Sequence, residues 1–283
     1  MIVTERPHEL SAYLEKARHE GKRTGLHPTM GALHGGHRAN IRQMATECDV
    51  AAVTIFVNPL QFGPGEDFAA YPRDLEQDLA QAEEAGADIV LAPGSEFAGE
   101  PLTSVHVARL TEVLEGARRP GHFDGVATIV TKILAVAGPC YAYFGEKDYQ
   151  QLVVVRRLVS DLSLPVVVVA CPTVREPDGL ALSSRNAYLS GPERAAAPSL
   201  YWSLLAGKRA IDERGERDAG RARAEMLAAA GRQPLVRLDY VEVVDPETLG
   251  AVSEVEAEVR LVIAGQVGPA RLIDNIAANV QEG

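Results

Sequence analysis

The chain has 283 residues, of which 46% are hydrophobic and 24% charged, a balance that supports a sizeable buried core and excludes a disordered chain. Its formal charge of −11 argues against a nucleic-acid partner, because phosphate backbones need a basic face, yet leaves room for a local basic pocket. The longest apolar run, residues 164–171, is far short of the roughly 20 residues of a membrane span, and residues 1–10 lack the apolar stretch of a signal peptide, so no membrane role is expected.

In chain order, the spacing predicts a first strand over 23–27 and a helix over 38–47. Residues 49–57 are almost continuously apolar, the pattern of a strand covered on both faces in a parallel sheet, and 88–92 and 166–170 repeat it. Helices are predicted over 73–85, 126–137 and 149–162. Strands alternating with helices indicate an α/β fold, a Rossmann-like doubly wound parallel sheet, over the first ~170 residues. Beyond Ser184 the pattern changes to helices at 191–206 and 217–230, then strands at 236–244, 259–264 and 271–276. That order predicts a second, smaller α+β domain, with the division at 1–173 and 174–283 near Pro172 and Pro177. The three cysteines, Cys48, Cys140 and Cys171, lie far apart without metal-type spacing, and read as buried apolar residues of a cytoplasmic, reducing compartment.

Four segments carry candidate chemistry. In Pro28-Thr-Met-Gly-Ala-Leu-His34-Gly-Gly-His37 a strand gives way to a helix, and Gly31, Gly35 and Gly36 allow a tight turn. Free N–H groups at that helix start suit phosphate, and His34 and His37, three residues apart, can both face it. A zinc pair and ordinary surface histidines are the rival readings, the first weakened because no third ligand follows at a usual spacing. Asn58 and Gln61 follow the most apolar strand, at the end where open α/β sheets bind ligands; the alternative is a turn that satisfies its own backbone. Gly145-Glu-Lys147-Asp148, with Gln151 one turn on, offers a cation for phosphate, or else a solvated charged loop. Leu182-Ser183-Ser184-Arg185 makes either a compact anion site or a helix cap. A further stretch, 116–125, reads as a loop in which Arg119 and His122 serve either a ligand or the loop itself.

Together these segments resemble the pantothenate synthetase family. The matching motifs are Pro-Thr-Met-Gly-Ala-Leu-His-x-Gly-His at 28–37, Ile-Phe-Val-Asn-Pro-x-Gln-Phe-Gly at 55–63, Tyr-Pro-Arg at 71–73, Arg-Pro-Gly-His-Phe-Asp-Gly-Val at 119–126, Phe-Gly-Glu-Lys-Asp-Tyr-Gln-Gln at 144–151, Leu-Ser-Ser-Arg-Asn at 182–186 and Arg-Leu-Ile-Asp-Asn at 271–275. The resemblance implies an ATP-dependent ligase that joins pantoate to β-alanine through a pantoyl adenylate, releasing AMP and pyrophosphate. It implies ATP contacts from Met30, Gly31, Ala32, Leu33, His34, Gly35, Gly36 and His37, with His37 the proton donor. Gly145, Glu146, Lys147, Asp148, Val174, Leu182, Ser183, Ser184 and Arg185 complete the implied ATP site. His34, His37, Lys147 and Arg185 are the residue types that stabilise charge on transferring phosphoryl oxygens. Gln61 and Gln151 are implied for pantoate, and Gln61 also for β-alanine. Mg²⁺ on the phosphates, a homodimer, and a smaller domain acting as a lid against water are further implications. Another adenylyl- or cytidylyltransferase of the same superfamily, or an idle nucleotide-binding module, are the alternatives. Three residues depart from the family pattern: His27, Gly35 and Arg38.

Overall fold

A computed structural model describes residues 1–280. The chain divides into two compact units, one of residues 1–146 and 150–172, the other of 147–149 and 173 onward; the last three residues of the expected second domain, 281–283, lie outside the described residues.

The first unit is built on a parallel sheet of six strands: β1 (Ile2–Thr4), β2 (Thr24–Thr29), β3 (Val50–Ile55), β4 (Ile89–Leu91), β5 (Cys140–Gly145) and β6 (Val166–Cys171). Their spatial order is β1-β4-β3-β2-β5-β6. Six helices connect the strands: α1 (Pro7–His19), α2 (Gly35–Glu47), α3 (Leu75–Glu84), α4 (Leu114–Arg118), α5 (His122–Ala137) and α6 (Tyr149–Asp161). Every residue of β3 is buried, as its unbroken apolar run requires for a strand covered on both faces. The order reverses between β2 and β5, so the crevice of this sheet opens beyond Thr29 and Gly145.

Proline in a central strand removes a ladder donor, and β2 contains Pro28. The pairing with β5 is limited to Gly25 with Tyr141 and Leu26 with Ala142. Past that point the Tyr143 carbonyl is met by the ring Nδ1 of buried His27 at 2.8 Å.

In the second unit, β7 (Val236–Val244), β8 (Val259–Val267) and β9 (Ala270–Ala278) form an antiparallel sheet in the order β7-β8-β9. The helices α7 (Gly191–Ala196), α8 (Ser199–Asp212) and α9 (Ala219–Ala230) precede it. Its core joins Leu200, Leu204 and Ile211 of α8 with Met226 of α9 and Leu261 and Ile263 of β8. The predicted α/β fold with a smaller α+β part is therefore the observed one.

Local differences have physical causes. The helix expected over 191–206 is two helices, because Pro198 interrupts the ladder before α8. The expected loop at 116–125 holds the end of α4 and the start of α5. Gly125, a breaker in sequence, lies inside α5, where a Cβ would come 2.1 Å from the Leu60 carbonyl, so only glycine lets α5 lie against the turn at 59–61. The sequence reading did not foresee β1 or α1; β5 is the strand expected ahead of the turn at 143–151, for which no bounds were given.

Candidate functional site

Beyond β2 the backbone turns through Gly31 at φ +77° and Ala32 at φ +49°, two successive left-handed residues. Gly35 and Gly36, expected to share in that turn, are the first residues of α2 instead, and neither has positive φ. Strain at Ala32 needs an external hold, which Asp78 of α3 supplies. Its carboxylate accepts the N–H groups of Ala32 at 2.9 Å and Leu33 at 2.7 Å. Burial raises the Asp78 pKa, and the two N–H groups oppose that rise by favouring the charged form. Sequence reasoning missed Asp78.

The helix start is closed by the two histidines. His34 is the N-cap of α2; its Nδ1 accepts the Gly36 N–H at 3.1 Å, while His37 Nδ1 accepts the His34 N–H at 3.4 Å. Reciprocal capping leaves the rings 4.1 Å apart between centroids. With each Nδ1 engaged as an acceptor, a neutral ring carries its proton on Nε2. Both histidines are thereby set as Nε2–H donors.

A second cluster follows β3. The Asn58 Oδ1 accepts the Leu60 N–H, and its amide donates to Gln61 Oε1 at 3.0 Å and to the Gly125 carbonyl at 3.1 Å. Gln61 is buried, and its Nε2 donates to Met30 Sδ at 2.9 Å. This contact brings the residue expected for pantoate against the turn expected for ATP.

Arg119 and His122 serve this cluster. Arg119 grips Glu66 with Nε and Nη2, each at 2.7 Å, and donates from Nη1 to His122 Nε2 at 3.1 Å. His122 Nδ1 then donates to the Gln61 carbonyl at 2.8 Å, which fixes the neutral tautomer. Burial, then the neighbouring Arg119, lowers the His122 pKa to about 4, while Arg119 brings Glu66 down to about 2. Gln151 lies half-buried in the first turn of α6. Its neighbour Gln150 is buried and ties Glu115 N–H to the carbonyls of Leu110 and Val113.

Within the second unit, Lys147 Nζ stands 3.3 Å from Asp148 Oδ1. Val174 and Leu182 are joined by a 3.0 Å backbone hydrogen bond beside the bridge of Arg175 with Ala181. Ser183 caps the short turn at 184–188 by accepting the Arg185 N–H at 3.3 Å. Ser183 is thus a cap, with Arg185 two residues on.

Among the described residues no group of three His, Cys, Asp or Glu could hold a metal, and no helix is long and apolar enough to cross a membrane. Cys140 and Cys171 are buried, and burial pushes both thiols up to about 12. Of the departing residues, His27 is buried, and neither its Nε2 nor the buried Arg38 Nε has a hydrogen-bond partner among the described residues.

The family model described as pantoate-beta-alanine ligase matches residues 2–277. A pantothenate synthetase of Aquifex aeolicus is 50% identical over 270 residues, covering 94% of this chain and 95% of that protein. One from Caldicellulosiruptor saccharolyticus is 44% identical over 282 residues, covering 99% of this chain and 100% of its own length. Among solved structures, the pantothenate synthetase of Thermus thermophilus superposes with a TM-score of 0.92 at 48% identity, covering 98% of this chain and 99% of that one. The Francisella tularensis pantoate-beta-alanine ligase, complexed with beta-gamma ATP and beta-alanine, gives 0.80 at 30% identity, covering 98% and 97%.

Proposed function

The chain belongs to the pantoate–β-alanine ligase family, and from that premise we propose how its residues divide the work. It is a ligase that uses ATP to join (R)-pantoate to β-alanine, giving pantothenate, AMP and pyrophosphate. A pantoate carboxylate oxygen attacks the α-phosphorus, a new P–O bond forms, and the bond to the bridging oxygen breaks to release pyrophosphate. The amine of β-alanine then attacks the acyl carbon of pantoyl adenylate, loses a proton, and displaces AMP as the amide forms.

The observation that carries the assignment of residues is the paired capping of His34 and His37 at the strand-order reversal. In this reading their Nε2–H groups meet the triphosphate where charge grows, and His37 donates to the departing pyrophosphate. The turn from Met30 to Leu33 and the residues Gly35, Gly36, Gly145 and Glu146 line the nucleotide. Lys147, Asp148, Val174, Leu182, Ser183, Ser184 and Arg185 serve the same nucleotide, with Lys147 and Arg185 neutralising phosphate oxygens. Gln61 orients pantoate and then β-alanine, Gln151 assists with pantoate, and the Met30 contact of Gln61 supports this division.

Mg²⁺ enters this reading with the triphosphate, which it would neutralise. The donor set suits an ion held by phosphate and water, since Asp78, the carboxylate nearest the turn, is committed to Ala32 and Leu33. A homodimer and a cytoplasmic setting complete the proposal; unpaired Cys48, Cys140 and Cys171 suit a reducing compartment. Pyrophosphate–ATP exchange tests the adenylation half-reaction. It should require pantoate and proceed without β-alanine; exchange without pantoate would refute the assignment.

A further inference from the structure

The sequence motif at 271–275 has no part in the chemistry assigned above, yet it contains two adjacent buried polar residues, Asp274 and Asn275, 5% and 4% exposed. Both sit on β9 within the second unit, to which Lys147, Asp148 and Tyr149 also belong. The Asn275 side chain joins three segments of that unit. Its Oδ1 accepts from Arg260 Nε at 2.7 Å, and its Nδ2 donates to the Lys147 carbonyl at 2.9 Å. The orientation of the amide is forced, because arginine only donates and a carbonyl only accepts. Arg260, itself 6% exposed, stacks its guanidinium 4.0 Å over the Tyr149 ring, whose hydroxyl donates to the Pro246 carbonyl.

Asp274 anchors the other side. It accepts the Asn275 N–H at 2.7 Å and takes Arg175 in a fork of 2.6 and 2.9 Å. Arg175 also donates to the Asn275 carbonyl at 3.3 Å and lies 3.9 Å over the Tyr201 ring. The backbone is thereby held at Lys147's carbonyl by Asn275, and two residues on by Arg260 through Tyr149.

We infer that Asn275, clamped by Arg260 and Asp274, is a positioning residue that fixes the Lys147 backbone so that the ammonium meets the triphosphate in one geometry. The inference rests on Lys147 being a phosphate ligand, as proposed above. A lysine is a point charge on a flexible stem, so its directionality comes from where its backbone is fixed. Buried, fully bonded polar groups give such a fixed point, whereas a loop satisfied by water would not.

The test is Asn275→Asp, which keeps the shape and strengthens the Arg260 contact but turns a donor toward the Lys147 carbonyl into a second acceptor. In pantoate-dependent pyrophosphate exchange, kcat/KM for ATP should fall by roughly tenfold or more, the scale of one buried hydrogen bond. KM for pantoate should hold, while the melting temperature should fall modestly, as for one buried hydrogen bond lost. In a Lys147→Ala background the same substitution should have no further effect, since coupled residues are non-additive. Equal fold-losses in the two backgrounds, or parallel losses in ATP and pantoate, would overturn the inference and leave Lys147's role standing. Wild-type exchange in Lys147→Ala alone would overturn the phosphate role and the inference with it. Should Asn275→Asp not fold, Asn275→Ser, which removes the amide without adding charge, takes its place in the same cycle.

Discussion

Gly31→Ala exposes how tightly the nucleotide turn is built. A Cβ at Gly31 would lie 2.6 Å from Asp78 Oδ2 and 3.2 Å from Ile55 Cγ2, on a backbone at φ +77°. The left-handed conformation alone costs a side chain roughly 1–2 kcal/mol. Moving the Asp78 carboxylate away sacrifices at least one of its hydrogen bonds to Ala32 and Leu33, each worth about 1.5–3 kcal/mol for a charged acceptor. The sum is roughly 2.5–5 kcal/mol, a large part of the ~5–15 kcal/mol that holds a domain folded. Gly21 provides the control, because its φ is +75° but a Cβ there meets nothing within 4 Å. Urea unfolding should therefore show Gly21→Ala losing only the strain, with Gly31→Ala losing about 1.5–3 kcal/mol more. KM for ATP should rise in Gly31→Ala alone. Equal stability losses in the two variants, or an unchanged KM for ATP, would refute the role given to Asp78.

Three further outcomes are expected. His37→Ala should lower kcat by roughly 10²–10³, the effect of losing one transition-state donor, with an unchanged circular dichroism spectrum; full turnover would remove His37 from the chemistry. Gln61→Leu, close in size but without the amide, should raise KM for pantoate by roughly tenfold or more while KM for ATP stays near wild type, as for a lost substrate hydrogen bond, and steady-state kinetics with each substrate varied decides it. His27 is held neutral by burial with its pKa near 4, below the ordinary 6.5, so acid protonates the unfolded chain first. Its contribution is complete above about pH 6.5 and fades as pH falls toward 4, by up to about 3 kcal/mol. Melting curves of His27→Val should accordingly depend less on pH across that window. His122, lowered to about 4 by the same cause, keeps its own share of the slope, and Asp78, raised by burial, acts in the opposite sense.

The parts of the fold legible in sequence were those with unmixed patterns. The buried run at 50–55 and the helical pattern over 38–47 announce a parallel sheet with a strand-to-helix turn, and the structure has both. β1 is three residues long with two of them exposed, too short for a pattern, whereas α1 carries Leu10, Leu14 and Ala17 at the i, i+4, i+7 spacing of one buried stripe, a signal passed over because the rest of the segment is polar. Asp78 was hidden in an acidic stretch that reads as a solvated face. The available signal was its phase: Asp78, Ala82 and Ala85 recur at the i, i+4, i+7 spacing of one buried stripe, where a carboxylate needs a partner. The direction of His34 and His37 was equally invisible, because capping geometry fixes their tautomers only once the helix start is known to be residue 35. Arg119 and His122 were undecidable in sequence; their hydrogen bonds to Glu66 and the Gln61 carbonyl give them a supporting part.

The most direct test of the central claim is AMP release from ATP and pantoate, measured with and without β-alanine. Rapid, repeated AMP formation that needs both pantoate and β-alanine, matched one to one by pantothenate, is the outcome that a ligase working through an acyl adenylate requires. AMP formation indifferent to β-alanine, or none despite ATP binding, would contradict it.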